Sequence, residues 1–177
     1  MDIALPLLIV RLVIGLGFAA HGAQKLFGWF GGYGLAGTGG FFETLGFKPG
    51  KLFAGAAGAG ELLGGLLLAL GLGGPIGSML IISVMVVAIL AVHLGNGFFA
   101  SGNGIEMPLL YAAVGFTFAF IGFGTYSLDA ALGWTAVWTP ALEWLFVGLG
   151  IVGGLLNLAA RRKPAANGAV AEGSSLR

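Results

Sequence analysis

Five apolar runs, each near the roughly 20 residues that cross a bilayer as a helix, dominate this 177-residue chain. They cover residues 3–20, 52–72, 75–94, 107–123 and 140–160. A proline stands at or just before the start of each: Pro6, Pro49, Pro75, Pro108 and Pro140. Proline in a first helical turn loses no hydrogen bond, because those amides have no intrahelical partner anyway. Thr139 and Glu143 add a predicted cap and a favourable dipole contact to the last run. Pro164 follows that run where a helix should stop. The pattern predicts an all-α membrane protein: a four-helix transmembrane bundle plus a fifth, C-terminal transmembrane helix.

Composition removes the soluble alternative. Only 8% of residues are charged and 58% are hydrophobic, too little charge for the surface of a soluble domain. The 35 glycines suit close-packed membrane helices. There is no cysteine, which excludes disulfides, iron–sulfur clusters and thiolate metal sites. A net charge of +1 with no basic stripe argues against nucleic acid. The N-terminus lacks the basic region of a secretory signal, and Arg11 interrupts its apolar run, so a retained span is expected there.

Basic residues set the expected orientation. Lys25, Lys48, Lys51, Arg161, Arg162, Lys163 and Arg177 all fall on one side of a five-span arrangement. Positive residues mark the cytoplasm, which places the N-terminus outside and the C-terminus inside a plasma membrane. Loop 28–50 carries Trp29, Phe30, Tyr33, Phe41, Phe42 and Phe47 among glycines, and is expected along the cytoplasmic interface or between helices. The organisation expected is a core over 1–129, an extra span within 130–162 and a disordered tail over 163–177.

Four ionisable side chains fall inside these runs or directly at their ends: Arg11, His21, Glu61 and His93. An arginine or carboxylate costs at least about 2.5–3.5 kcal/mol at the bilayer centre, so ionisable residues in such runs are functional candidates. Arg11 and Glu61 lie at similar predicted depth, which suggests a buried ion pair that either fixes register or gates transport. His21 and Lys25 share one helical stripe, His93 ends the third run on the same side, and Glu106 opens the fourth. Asn96, Asn103 and Gln24 add hydrogen-bonding capacity. The segment Gly95-Asn96-Gly97-Phe98-Phe99 resembles loop 28–50 in miniature, and His21 with Phe27 is echoed by His93 with Phe99.

A histidine beside a carboxylate within interfacial aromatics can protonate a quinone carbonyl. Haem ligation by two histidines and a metal site completed by a glutamate are weaker readings, because no specific spacing accompanies them. The bland alternative is that these residues snorkel and cap helix ends. GxxxG stripes at Gly60/Gly64 and Gly150/Gly154 suggest close helix approaches, the second a subunit contact.

The series His21-Gly22-Ala23-Gln24-Lys25-Leu26-Phe27-Gly28, Phe30-Gly31-Gly32, Gly37-Thr38 and Phe41-Phe42-Glu43-Thr44-Leu45-Gly46 resembles the DoxX family of bacterial and archaeal membrane proteins. So do Ala57-Gly58, Glu61-Leu62, Gly64-Gly65, Met85, Ala88, Val92-His93, Asn96-Gly97-Phe98-Phe99 and Gly122-Phe123-Gly124-Thr125-Tyr126-Ser127-Leu128-Asp129. The resemblance covers residues 7–129. It implies a four-helix membrane core and association with quinone-linked oxidation of sulfur compounds; residues 134–177 lie beyond the usual family end.

Three readings follow. The first is a quinone-linked oxidoreductase subunit with a pocket of His21, Glu61 and His93, ligand contacts from Lys25, Glu106, Asn96 and Phe98, and loop aromatics as a lid. The others are a non-catalytic scaffold for a membrane or redox partner or a second copy, and a proton-coupled transporter. Quinone is the expected cofactor; the lipid bilayer is the expected surrounding.

Overall fold

The computed structural model describes residues 3–162, and they form helices without a strand. The predicted tail over 163–177 lies outside the described residues. Helix α1 spans Ala4–Phe27, α2 Gly34–Thr44, α3 Gly50–Leu70 and α4 Pro75–Ala88. Then come α5 at Glu106–Ile121, the short α6 at Leu128–Ala131 and α7 at Pro140–Ala159. The fourth helix continues through a π turn, Ile89–His93, and a 3-10 turn, Leu94–Asn96.

Four of these are long and apolar enough to cross a membrane: Ala4–Phe27, Gly50–Leu70, Pro75–Asn96 and Pro140–Ala159. The fourth predicted span, 107–123, forms α5, which has only 16 residues. At 1.5 Å per residue it is about 24 Å long, short of the roughly 30 Å of hydrocarbon. It nevertheless runs from the end of the bundle that holds His93 to the end that holds Arg11, where Phe123 lies under the guanidinium.

Glycine sets how the helices meet. Antiparallel α1 and α3 interlock where a Cβ on Gly15 would lie 2.6 Å from the Gly65 carbonyl and one on Gly22 would lie 2.4 Å from the Leu62 amide. Side chains at these positions would force the backbones apart, so glycine fixes both spacing and register. Gly60 and Gly64 carry α3 onto Val84 and Leu80 of α4. Gly150 and Gly154 carry α7 onto Ile82 and Val86 of the same helix. The second GxxxG stripe is thus an internal contact of α4 with α7, not the subunit contact expected of it. Phe18, Leu68, Ile81, Met85, Phe118 and Phe123 form the buried core between α1, α3, α4 and α5.

The stretch expected as irregular loop contains α2, which packs on the start of α3. Gly39 faces the Lys51 backbone and Gly50 faces the Gly39 carbonyl, so glycine serves contact here rather than disorder. Thr139 is the N-cap of α7, but its side chain makes no capping hydrogen bond; its carbonyl accepts from the Glu143 amide at 3.0 Å.

Candidate functional site

Between α1, α3, α4, α5 and α7 lies a cavity of about 510 Å³. Phe41 and Phe42 of α2, with Phe47 and Phe53, form an aromatic wall, so part of the aromatic stretch does cover the cavity. Trp29, Phe30 and Tyr33 point away from it and are exposed.

The polar centre comes from three helices. Lys25 Nζ on α1 meets Glu61 Oε2 on α3 at 2.5 Å. The lysine side chain is 27% exposed and that of the glutamate 5%, so the lysine reaches inward to a carboxylate held almost out of solvent. Their juxtaposition follows from the glycine register: Gly22 against Gly58 and Leu62 sets Lys25 within reach of Glu61. Tyr111 on α5 crosses to α1 above Gly17, with its ring 5.1 Å from Phe18 and 6.0 Å from His21, edge-on to the imidazole.

Both histidines line the cavity, and each has its Nδ1 engaged. His93 Nδ1 lies 2.8 Å from the Asn103 carbonyl. A carbonyl only accepts, so Nδ1 carries the proton and Nε2 is left to accept or exchange one. His21 Nδ1 lies 3.1 Å from Gln24 Oε1, while Gln24 Nε2 donates to the Phe30 carbonyl at 3.1 Å. That second bond orients the amide with its oxygen toward the ring, and assigns His21 the same tautomer. The π turn delivers His93 to this position; π bulges recur where a helix must aim one functional side chain.

The structure does not join Arg11 to Glu61. The register that gives Glu61 to Lys25 puts Arg11 near Gly71, ten residues further along α3, or roughly 15 Å away at the helical rise. There the fully buried guanidinium donates through Nη2 to the Tyr126 carbonyl and lies 5.5 Å over the Phe123 ring. Asp129 supplies the neighbouring negative charge, and its own oxygens accept from the amides of Gly73 and Gly74 and from Trp138 Nε1, each at 2.8 Å.

Three other predicted ligand contacts are also placed elsewhere. Glu106 Oε2 accepts from the Ala100 amide at 2.7 Å and stabilises the turn before α5. Asn96 Nδ2 donates to the carbonyls of Val92 and Asn103, and Phe98 packs edge-on against Phe99 on the surface. None of the three lines the cavity. Asn103, expected to add hydrogen-bonding capacity, lines it, and so do Tyr111, Ser83 and Asn157, which the sequence reading does not name. A lone phenol, hydroxyl or amide in an apolar run was the available signal; a search weighted toward charge passes over it. Among the described residues, no three histidine, cysteine or acidic side chains gather into a group that would hold a metal ion.

The DoxX family model matches residues 6–94, or 89 of the 177 residues. No curated protein and no solved structure matches the chain. The matched half carries His21, Lys25, Glu61 and His93, whereas Tyr111 and Asn157 lie beyond it. With four helices of membrane-crossing length and this match, the chain is a membrane protein of the DoxX family.

Proposed function

We propose that the protein is the quinone-binding membrane subunit of an oxidoreductase system, working with a partner that supplies the electrons. The observation that carries this reading is the Lys25–Glu61 pair, which opens onto an otherwise largely apolar, aromatic-walled cavity. An apolar pocket with few convergent polar groups suits a ligand with an apolar body and polar edge. A bound quinone contributes a two-electron acceptor whose reduction takes up two protons.

The chain's residues have distinct parts in this reading. The Lys25 ammonium donates to a carbonyl-type oxygen, a charge-assisted bond that fixes the ligand's position. Glu61 holds the ammonium at the cavity wall. The Nε2 atoms of His21 and His93 exchange protons with water at the mouth, and the aromatic wall of Phe41, Phe42 and Phe47 excludes bulk solvent from the interior.

The same proposal places the Lys25 end of the bundle in the cytoplasm. Lys25 and Lys48, Lys51, Arg161 and Arg162 gather there: Arg161 Nε donates to the Leu45 carbonyl and the Arg162 amide to that of Gly46. Five traverses, α5 included, then set the N-terminus outside.

The test is titration of the detergent-purified protein with a short-chain benzoquinone. Tight, saturable binding that weakens at least tenfold in Glu61→Gln, with the variant still monodisperse, supports the reading. Equal affinity in the two proteins removes the site, and no saturable binding in either removes the function.

A further inference from the structure

The cavity has a second polar point, on helices other than the one that carries Lys25. Ser83 of α4 and Asn157 of α7 both line it. Asn157 Nδ2 donates to the Gly153 carbonyl of its own helix at 2.9 Å, which uses one of its two N–H groups and leaves Oδ1 without a hydrogen-bond partner among the described residues. The Ser83 hydroxyl makes no hydrogen bond to another described residue, and Gly153 allows it close: a Cβ there would stand 3.3 Å from Ser83 Oγ. Two neutral polar side chains from separate helices thus face one cavity with hydrogen-bonding capacity unfilled. In an apolar bundle such capacity is costly to leave unmet.

The contact of α7 with α4 makes this arrangement specific. Gly150 and Gly154 seat α7 directly on α4, so Asn157, one turn beyond Gly153, is carried to the cavity and not to lipid. The other helix faces of α7 are apolar and exposed, with Trp144, Leu145, Val152 and Leu156 outward. Apart from Glu143 in the first turn, Asn157 is the polar exception on an apolar helix, and it lines the cavity.

We infer that Asn157 and Ser83 are specificity-determining residues that hold a second polar group of the cavity's ligand, so α7 is part of the binding site and not only an added anchor. The ligand class is an apolar, ring-containing molecule with hydrogen-bonding oxygens at two separated points, one held by Lys25 and one by the Asn157–Ser83 pair. This rests on the quinone-site reading, which it deepens.

The experiment compares two probes on the purified full chain: 2-decyl-1,4-naphthoquinone, with two carbonyls, and 2-decyl-1-tetralone, with one. The variants are Asn157→Leu and Ser83→Ala. Asn157→Leu makes α7 more apolar and removes only a bond within its own helix, so the bundle is expected to stay intact; a monodisperse elution profile checks this. A net hydrogen bond is worth about 0.5–1.5 kcal/mol, or roughly two- to tenfold in affinity. The inference predicts that Asn157→Leu weakens the naphthoquinone threefold or more and leaves the tetralone, held by its one carbonyl at the charged donor, within threefold. Ser83→Ala shows the same selectivity if the pair acts together, and keeps the test open should Asn157→Leu not fold.

Equal loss for both probes means a merely structural role and overturns the inference. So does a loss under threefold for the naphthoquinone in both variants, while wild-type binding leaves the quinone reading standing. Absence of naphthoquinone binding to the wild type overturns that reading and the inference with it.

Discussion

Glu61 takes its cation from Lys25, 2.5 Å away on the neighbouring helix, although Arg11 is the more deeply buried base of the same helix. The two bases of α1 are divided between the two ends of the bundle. Lys25 serves the cavity; Arg11 serves the Gly71–Tyr126–Asp129 junction at the far end. A gated Arg11–Glu61 pair at the midplane, on which the transport reading depended, is therefore not formed.

Removing one member of the cavity pair is expected to hurt asymmetrically. Lys25→Met strands a carboxylate that cannot reach solvent, and breaking a buried pair in this way costs about 3–5 kcal/mol. Glu61→Gln costs less, because the partly exposed ammonium can turn outward. The double variant Lys25→Met/Glu61→Gln should recover most of the Lys25→Met loss. Thermal unfolding in detergent reads all three, and a double variant no better than Lys25→Met would refute the stranded-charge account.

At the other end, Asp129 ties the α3–α4 turn to the segment before α7 through Gly73, Gly74 and Trp138. Hydrogen bonds to a charged acceptor are worth about 1.5–3 kcal/mol, so Trp138→Phe should lower stability by that amount. Asp129→Asn should cost more, because it turns an N–H toward existing donors and also takes the neighbouring charge from Arg11. Unfolding midpoints in detergent test the order, which a smaller loss for Asp129→Asn would reverse.

Two glycine substitutions separate close packing from helix propensity. Gly22→Ala drives a methyl to 2.4 Å from the Leu62 amide and should destabilise by roughly 1–3 kcal/mol or more. Gly148→Ala in α7 meets nothing within 4 Å and should stabilise by about 0.5–1 kcal/mol. The same unfolding measurement checks both; similar effects of the two would mean that the α1–α3 interlock does not set the register.

The proposed orientation is directly readable because the chain has no native cysteine. Lys48 and Thr135 are exposed at opposite ends of the bundle. An impermeant maleimide on intact cells should label Thr135→Cys and spare Lys48→Cys until the membrane is opened. The reverse pattern would invert the topology, and labelling of both from outside would reject five traverses.

Helix positions were legible because proline and apolar length report on the local chain: Pro75 and Pro140 open helical stretches, Pro75–Asn96 with its π and 3-10 turns and Pro140–Ala159, that match the predicted runs to within two residues. Helix α2 was hidden because Gly37, Gly39 and Gly40 read as loop, while Gly37 packs on Tyr33 and Gly39 on Lys51 at the start of α3. His21, Lys25 and His93 were legible as a group since each is an ionisable residue at the same end of an apolar run, and Glu61 as a carboxylate deeper within one. The pairing of Glu61 was not. It depends on a one-to-one register between α1 and α3 that Gly15, Gly22, Gly58 and Gly65 create in three dimensions, and depth estimates along single helices do not contain it.

The most direct test of the quinone site is solvent extraction and mass spectrometry of protein purified gently from its own membrane. The account predicts close to one quinone per chain in the wild type, lost in Glu61→Gln and reduced in His93→Ala, with both variants still folded. Phospholipid alone in the wild-type extract would contradict it and leave the polar cluster to a scaffold that binds another membrane protein.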